Sequence, residues 1–228
     1  MFTPEETTAI ALSVKVAVAA ALASLPFGVA VAWLLARRRF FGKSLLDALV
    51  HLPLVLPPVV VGYALLVAFG HNGTIGRIFS EQFGITLAFR WTGAALASAI
   101  MGFPLMVRAV RLSIESVDRR LEQAAATLGA PPLRVFFTVT LPLAWPGIVA
   151  GGVLAFAKAL GEFGATITFV SSIPGETRTL SSAIYGLMQA PGGEAGIWRL
   201  ALVALAISLA ALMASEWLVR RQRRGARD

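Results

Sequence analysis

Ser116-Val117-Asp118-Arg119-Arg120-Leu121-Glu122-Gln123-Ala124-Ala125-Ala126-Thr127-Leu128-Gly129-Ala130-Pro131-Pro132-Leu133-Arg134-Val135-Phe136-Phe137 leads from one charge-free block, Trp91–Val107, into another, Val135–Ala157. The Asp118 carboxylate can accept from free backbone N–H groups and so suits the N-cap of a helix. Leu121, Ala124, Ala125 and Leu128 then fall on one helical face. Gly129 can take the left-handed position that ends a helix. Pro131 and Pro132 forbid continuation and suit the first turn of a new one. The spacing predicts a short helix, a sharp turn and a second short helix. The apolar stripe is narrow and rich in alanine, so it fits either a close-packed partner or the chain's own bundle.

The flanking blocks have the length of membrane spans, for which roughly 17–25 apolar residues are needed. Val16–Ala36 is free of charge, Ala48–Gly70 contains only His51, and Leu200–Val219 contains only Glu216 near its end. Only 14% of the 228 residues are charged and 57% are hydrophobic, with a mean hydropathy of +0.76. So few charges cannot cover a water-soluble globule. The expectation is an all-α polytopic bundle of about five transmembrane helices forming a single domain over 1–228, with spans near 10–37, 46–70, 91–112, 136–170 and 197–219 and a polar loop at 116–137. The prolines of Leu52-Pro53-Leu54-Val55-Leu56-Pro57-Pro58 predict a kink in the second span, at a place where irregular backbone suits a pathway or a protein-buried site.

The basic residues sort by side. Arg37, Arg38, Arg39 and Lys43 follow the first span. Arg108, Arg111, Arg119, Arg120 and Arg134 follow the third, and Arg220, Arg221, Arg223, Arg224 and Arg227 follow the fifth. With five spans all three clusters face the cytoplasm, which places the N-terminus outside and the C-terminus inside. A sixth span inside Phe163–Ala190 would move the arginine-rich tail outside. Phe163–Ile173 is too short to cross, so Ser171–Ile197 reads as an external loop, partly re-entrant in one version. The net charge of +8 therefore reflects membrane sidedness and does not call for a nucleic-acid partner. The acidic start Glu5-Glu6 is unlike the basic beginning of a secretory signal.

Gln123-Ala124-Ala125, three residues, Gly129, nine residues, then Val139-Thr140-Leu141-Pro142 resembles the EAA loop of ABC importer permeases. Gln123 stands where the family pattern has Glu, with Glu122 just before it, and Val139 stands for Ile. This leaves open which side chain makes the polar contact expected of that Glu. His51–Tyr63, Gly161–Val170 and Ile173–Thr179 extend the resemblance to the molybdate permeases of that family, with tungstate and sulfate permeases as close relatives. The resemblance implies the type I importer permease fold. It also implies coupling through Glu122, Gln123, Ala124, Ala125, Gly129, Leu141 and Pro142 to two copies of a cytoplasmic ABC ATPase. Further implied partners are a second copy of this chain, an external molybdate-binding protein and the surrounding lipid. The additional N-terminal span carried by many such permeases is not expected here.

Catalytic and metal-binding functions find little footing. The chain has no cysteine, and no Ser/His/Asp set or paired carboxylates suggest catalysis. Gly42-Lys43-Ser44 lacks the glycine a phosphate loop needs five residues earlier, where Arg37 stands. No catalytic residue, metal site or cofactor is expected, so the chain is no enzyme and ATP hydrolysis falls to a partner. Lys158 and Glu162 lie one turn apart late in the fourth span. They read either as a self-neutralising pair or, with Pro53 and Pro57, as residues of a translocation pathway for an oxyanion. An ion-driven secondary transporter is the rival function, distinguished by needing no ATPase.

Overall fold

The computed structural model describes residues 2–71, 73–84 and 86–225; Arg227 of the basic tail lies outside them. The described residues form eleven α-helices: α1 (Pro4–Arg37), α2 (Lys43–Val55), α3 (Pro58–Phe69), α4 (Thr74–Phe83), α5 (Trp91–Ser116), α6 (Arg119–Thr127), α7 (Pro132–Val135), α8 (Leu141–Leu160), α9 (Gly164–Val170), α10 (Leu180–Met188) and α11 (Glu194–Gly225). A π-helical segment, Phe136–Thr140, joins α7 to α8.

Contacts between the helix ends fix their directions. α1 begins with a capping box, in which Thr3 accepts from the Glu6 N–H and Glu6 accepts from the Thr3 N–H. The Glu6 carboxylate also holds Arg199 in the first turns of α11 at 2.7 Å. At its other end, α1 places Arg37 against Glu122 and the Val117 carbonyl. The Lys15 ammonium sits 3.7 Å from the ring centroid of Trp91, the first residue of α5. α1 and α5 are therefore parallel, running from a Glu6 end to a Glu122 end.

α8 and α9 return. The Ser113 hydroxyl donates to the Ala144 carbonyl, Gly102 lies against Ala155, and Gly93 lies against Val170. α11 then starts at the Glu6 end and sends Leu200, Ala204 and Ile207 into the cluster that holds Ala17 and Ala20.

Glycine sets the closest approaches. A Cβ on Gly62 of α3 would overlap the Ala165 carbonyl oxygen and lie 2.9 Å from the Ala165 Cα. Only a bare backbone allows α3 and α9 to touch in this way. Gly28, Gly102, Gly151 and Gly164 also sit in close contacts, with side-chain or backbone atoms, whereas a Cβ on Gly152 or Gly161 would meet only ordinary van der Waals neighbours, none nearer than 3.8 Å. Three buried clusters follow from this packing. Leu35, Met106, Val110 and Ile148 fill the Glu122 half. Val16, Val61, Ala97 and Phe169 join α1, α3, α5 and α9. Ala17, Leu160, Leu180 and Leu200 join α1, α8, α10 and α11.

Several stretches differ from the spans read in the sequence. α1 starts at Pro4, because the capping box extends it over the acidic turn. The stretch near 46–70 is two helices, α2 and α3, bent by 112° at Leu56-Pro57. This is a break, sharper than a proline kink, because Pro57 and Pro58 both lack the N–H that would bridge it. The stretch near 136–170 is also interrupted, at Gly161–Phe163. Among the described residues, four helices are long and apolar enough to cross a bilayer, and five if α2 and α3 count as one span.

The second short helix of the 116–137 loop is continuous with α8. It slips into π geometry before Pro142, whose missing N–H breaks the regular ladder. α10 dips into the bundle, since its Leu180 N–H donates to Ser13 of α1 and its Ser181 hydroxyl donates to the Leu160 carbonyl. α4 lies in a segment with no expected element; it is bounded by Gly73 and by left-handed Gly84.

Candidate functional site

At the Glu122 end, α6 stands proud of the bundle. The Asp118 carboxylate accepts from the Arg120 N–H and caps it. At its other end Gly129 is left-handed, with φ +85. The Gly129 N–H reaches the Ala126 carbonyl and the Ala130 N–H reaches that of Ala125, the two bonds of a Schellman stop. No residue of α6 is buried. Leu121 and Ala124 are exposed, Leu128 is 89% exposed, and Leu133 and Phe137 beyond the turn are exposed too. Five apolar side chains thus stand on a surface that the chain itself leaves uncovered, while Ala125 is half-buried.

A partly buried polar joint holds this outlying helix. The Arg37 Nε donates to Glu122 Oε1 at 3.1 Å, and the Thr140 hydroxyl donates to the same oxygen at 2.7 Å. Arg37 also donates to the Val117 carbonyl at 3.0 Å. One carboxylate thereby ties α6 to the end of α1 and to the start of α8. The joint is partly buried, with the Arg37 and Glu122 side chains 9% and 18% exposed, so the charges are screened less than at an open surface.

The polar contact left open between neighbouring residues belongs to Glu122; Gln123 is exposed beside a cleft of about 370 Å³ that Trp33, Arg38 and Arg119 also line. Leu141 packs on the core cluster of the Glu122 half, and Pro142 is exposed. Arg37 and Thr140 were not singled out by sequence reasoning. Arg37 reads there as one member of a basic run, and Thr140 as the variable position between Val139 and Leu141. Nothing local marks either as a partner of Glu122, which lies 85 and 18 residues away.

The other candidates lie deeper. Pro53 is in the last turn of α2 and lines an apolar groove of about 730 Å³ with Phe27, Trp91 and Phe103. Pro57 is exposed at the corner between α2 and α3. Lys158 and Glu162 form an ion pair of 2.7 Å with each other, at the break between α8 and α9. Neither proline takes part in that pair. Gly164 does bring the start of α9 against Pro58, so the two helix breaks adjoin. At the Glu6 end, Arg178 pairs with Glu5 at 3.1 Å. This is an exposed surface pair between the loop and the start of α1.

Comparisons with known proteins agree with this arrangement. The profile of a family described as binding-protein-dependent transport system inner membrane component matches residues 24–224. The chain is 61% identical over 227 residues to the molybdenum transport system permease protein ModB of Escherichia coli (strain K12), covering 99% of each. It is 58% identical over 219 residues to the protein of the same name from Haemophilus influenzae, covering 96% of each. Among solved structures, a chain of the bacterial alginate ABC transporter, crystallised with alginate pentasaccharide-bound periplasmic protein, superposes with a TM-score of 0.75. That likeness comes at 17% identity and covers 96% of this chain and 80% of that one. It shows a shared fold: the helical bundle is that of ABC importer permeases.

Proposed function

The chain belongs to the family of binding-protein-dependent transport system inner membrane components, and from that premise we propose that it is the membrane subunit of an ATP-driven importer carrying molybdate across the cytoplasmic membrane. The substrate rests on one observation, the full-length likeness to the molybdenum transport permeases. The protein is a multi-pass membrane transport subunit with no catalytic centre of its own.

The Glu122 end faces the cytosol, in line with its arginines. The N-terminus is then outside and the C-terminus inside. Two copies of a cytoplasmic ATPase grip the two copies of α6 in a homodimer of this chain. The uncovered side chains Leu121, Ala124 and Leu128 fit the helix-in-groove mode of recognition. Gln123, Ala125, Gly129, Leu141 and Pro142 shape and seat this coupling element. ATP closes the ATPase pair and moves the grooves. The joint of Arg37, Glu122 and Thr140 carries that displacement into α1 and α8, which switch as rigid bodies between two arrangements. An external molybdate-binding protein delivers the anion to the Glu6 end. The chain binds no cofactor or nucleic acid, and lipid covers its outer helices.

The test is reconstitution. The purified chain should bring down an ATP-hydrolysing subunit, and vesicles holding both should take up radiolabelled molybdate only with ATP and the binding protein. Uptake that runs on an ion gradient with no ATPase present would overturn the reading in favour of a secondary transporter.

A further inference from the structure

Glu162 is 2% exposed and fully engaged. One carboxylate oxygen accepts from the Ala165 N–H at 3.0 Å and the other from the Lys158 ammonium at 2.7 Å. The Lys158 side chain, in contrast, is 31% exposed, and among the described residues this is its one hydrogen bond. An ammonium carries three donors, so the rest point away from the carboxylate. Their depth is set by the neighbouring Ala159 and Leu160, which pack in the cluster of Ala17 and Ala20. Those alanines lie about 16 to 21 Å along α1 from Glu6 at about 1.5 Å per residue, within a hydrocarbon layer about 30 Å thick.

Free ammonium donors at that depth cannot face lipid tails without a large desolvation cost. The open side of Lys158 therefore belongs to a polar space. Its surroundings suit a passage. Leu154 and Gly161 are exposed on the same helical stripe. A Cβ on Gly161 would meet nothing nearer than 3.8 Å. α10 borders the break, with the Tyr185 ring 4.8 Å from that of Phe163.

We propose that Lys158, aimed by Glu162 at the break between α8 and α9, is a contact point for the tetrahedral dianion as it passes through the bilayer. This rests on the importer reading above and adds the residue that meets the substrate inside the membrane. Glu162 has two effects. It fixes the direction of the ammonium, and it keeps the pair neutral overall. A neutral pair with free donors binds a dianion weakly enough to release it, as conduction requires; a bare buried cation would hold it.

The chain has no cysteine, so single cysteines report water access directly. In the reconstituted complex, Lys158→Cys should react with a charged, membrane-impermeant thiol reagent, and molybdate should slow the reaction. Leu202→Cys, on the exposed flank of α11, should stay unlabelled. Lys158→Gln should lower molybdate uptake about tenfold or more, the scale of losing one hydrogen bond to a charged group, with binding-protein-stimulated ATP hydrolysis retained; Lys158→Arg should restore part of it.

The double variant Lys158→Gln/Glu162→Gln removes the risk of an unpaired buried carboxylate. It should assemble and still fail to transport. Wild-type uptake by an assembled double variant would show a merely structural pair and overturn the proposal. So would a Lys158→Cys complex whose thiol the charged reagent never reaches. Failure of the importer reading looks different: the unmodified complex would then show no ATP-dependent molybdate uptake at all.

Discussion

The Glu122 carboxylate is served by two donors on two different helices, and that arrangement makes Arg37 harder to replace than its place in a basic run suggests. Arg37→Met leaves Glu122 in a partly buried joint without its cation, at a cost of about 1.5–3 kcal/mol, the scale of a lost hydrogen bond to a charged group. Lower thermal stability of the purified chain should accompany reduced uptake per ATP hydrolysed. Arg37→Lys should repair little, because one ammonium cannot reproduce the planar fork that meets both Glu122 and the Val117 carbonyl. Gly129 is the second sensitive residue. At φ +85, Gly129→Val strains the stop of α6 by about 1–2 kcal/mol. Uptake should fall while ATP hydrolysis continues, whereas Gly129→Asn should be nearly silent. A Gly129→Val complex with wild-type uptake at normal expression would refute the coupling role of this turn.

At the scale of elements, the pairing of α3 with α9 joins two half-helices across adjoining breaks. A Cβ on Gly62 would meet backbone atoms of Ala165, which cannot rotate away. Gly62→Val should therefore cost about 1–3 kcal/mol, as overpacking does. A melting curve should show this, and Gly152→Ala, whose Cβ would meet only the end of the Leu25 side chain at 3.8 Å, is the control that should leave it nearly unchanged. Local signals in the sequence reach only part of this level. The Asp118 cap, the Gly129 stop and the restart at Pro132 depend on neighbours within a few residues, and all were readable. The 112° bend at Leu56-Pro57 was readable only as a kink. Its size depends on where α3 finds a surface to pack on, and that surface is Gly164 and Ala165, far along the chain. Glu122 could not be separated from Gln123 for the same reason, since its partners come from the end of α1 and from the π-helical segment that leads into α8.

For the whole molecule, the parallel course of α1, α5 and α11 makes a prediction about sidedness that single cysteines can check. Leu128→Cys, at the Glu122 end, should label only from the cytosol. Thr179→Cys is buried and unsuitable, but Gln189→Cys, exposed at the Glu6 end, should label only from outside. Labelling of both from one side would contradict the proposed five crossings. The membrane character and the helical class were legible, because long charge-free blocks do not depend on tertiary contacts.

The clasp between the first and last long helices was not legible, because 193 residues separate Glu6 from Arg199. It bears on how the chain is made. A ribosome delivers Glu6 well before Arg199, 193 residues earlier, so until α11 emerges the acid waits half-satisfied at the membrane surface with only its own capping turn for company. The latch on α1 is thus closed only by α11, and a chain released before that helix arrives should be left unlatched and open to quality-control proteolysis.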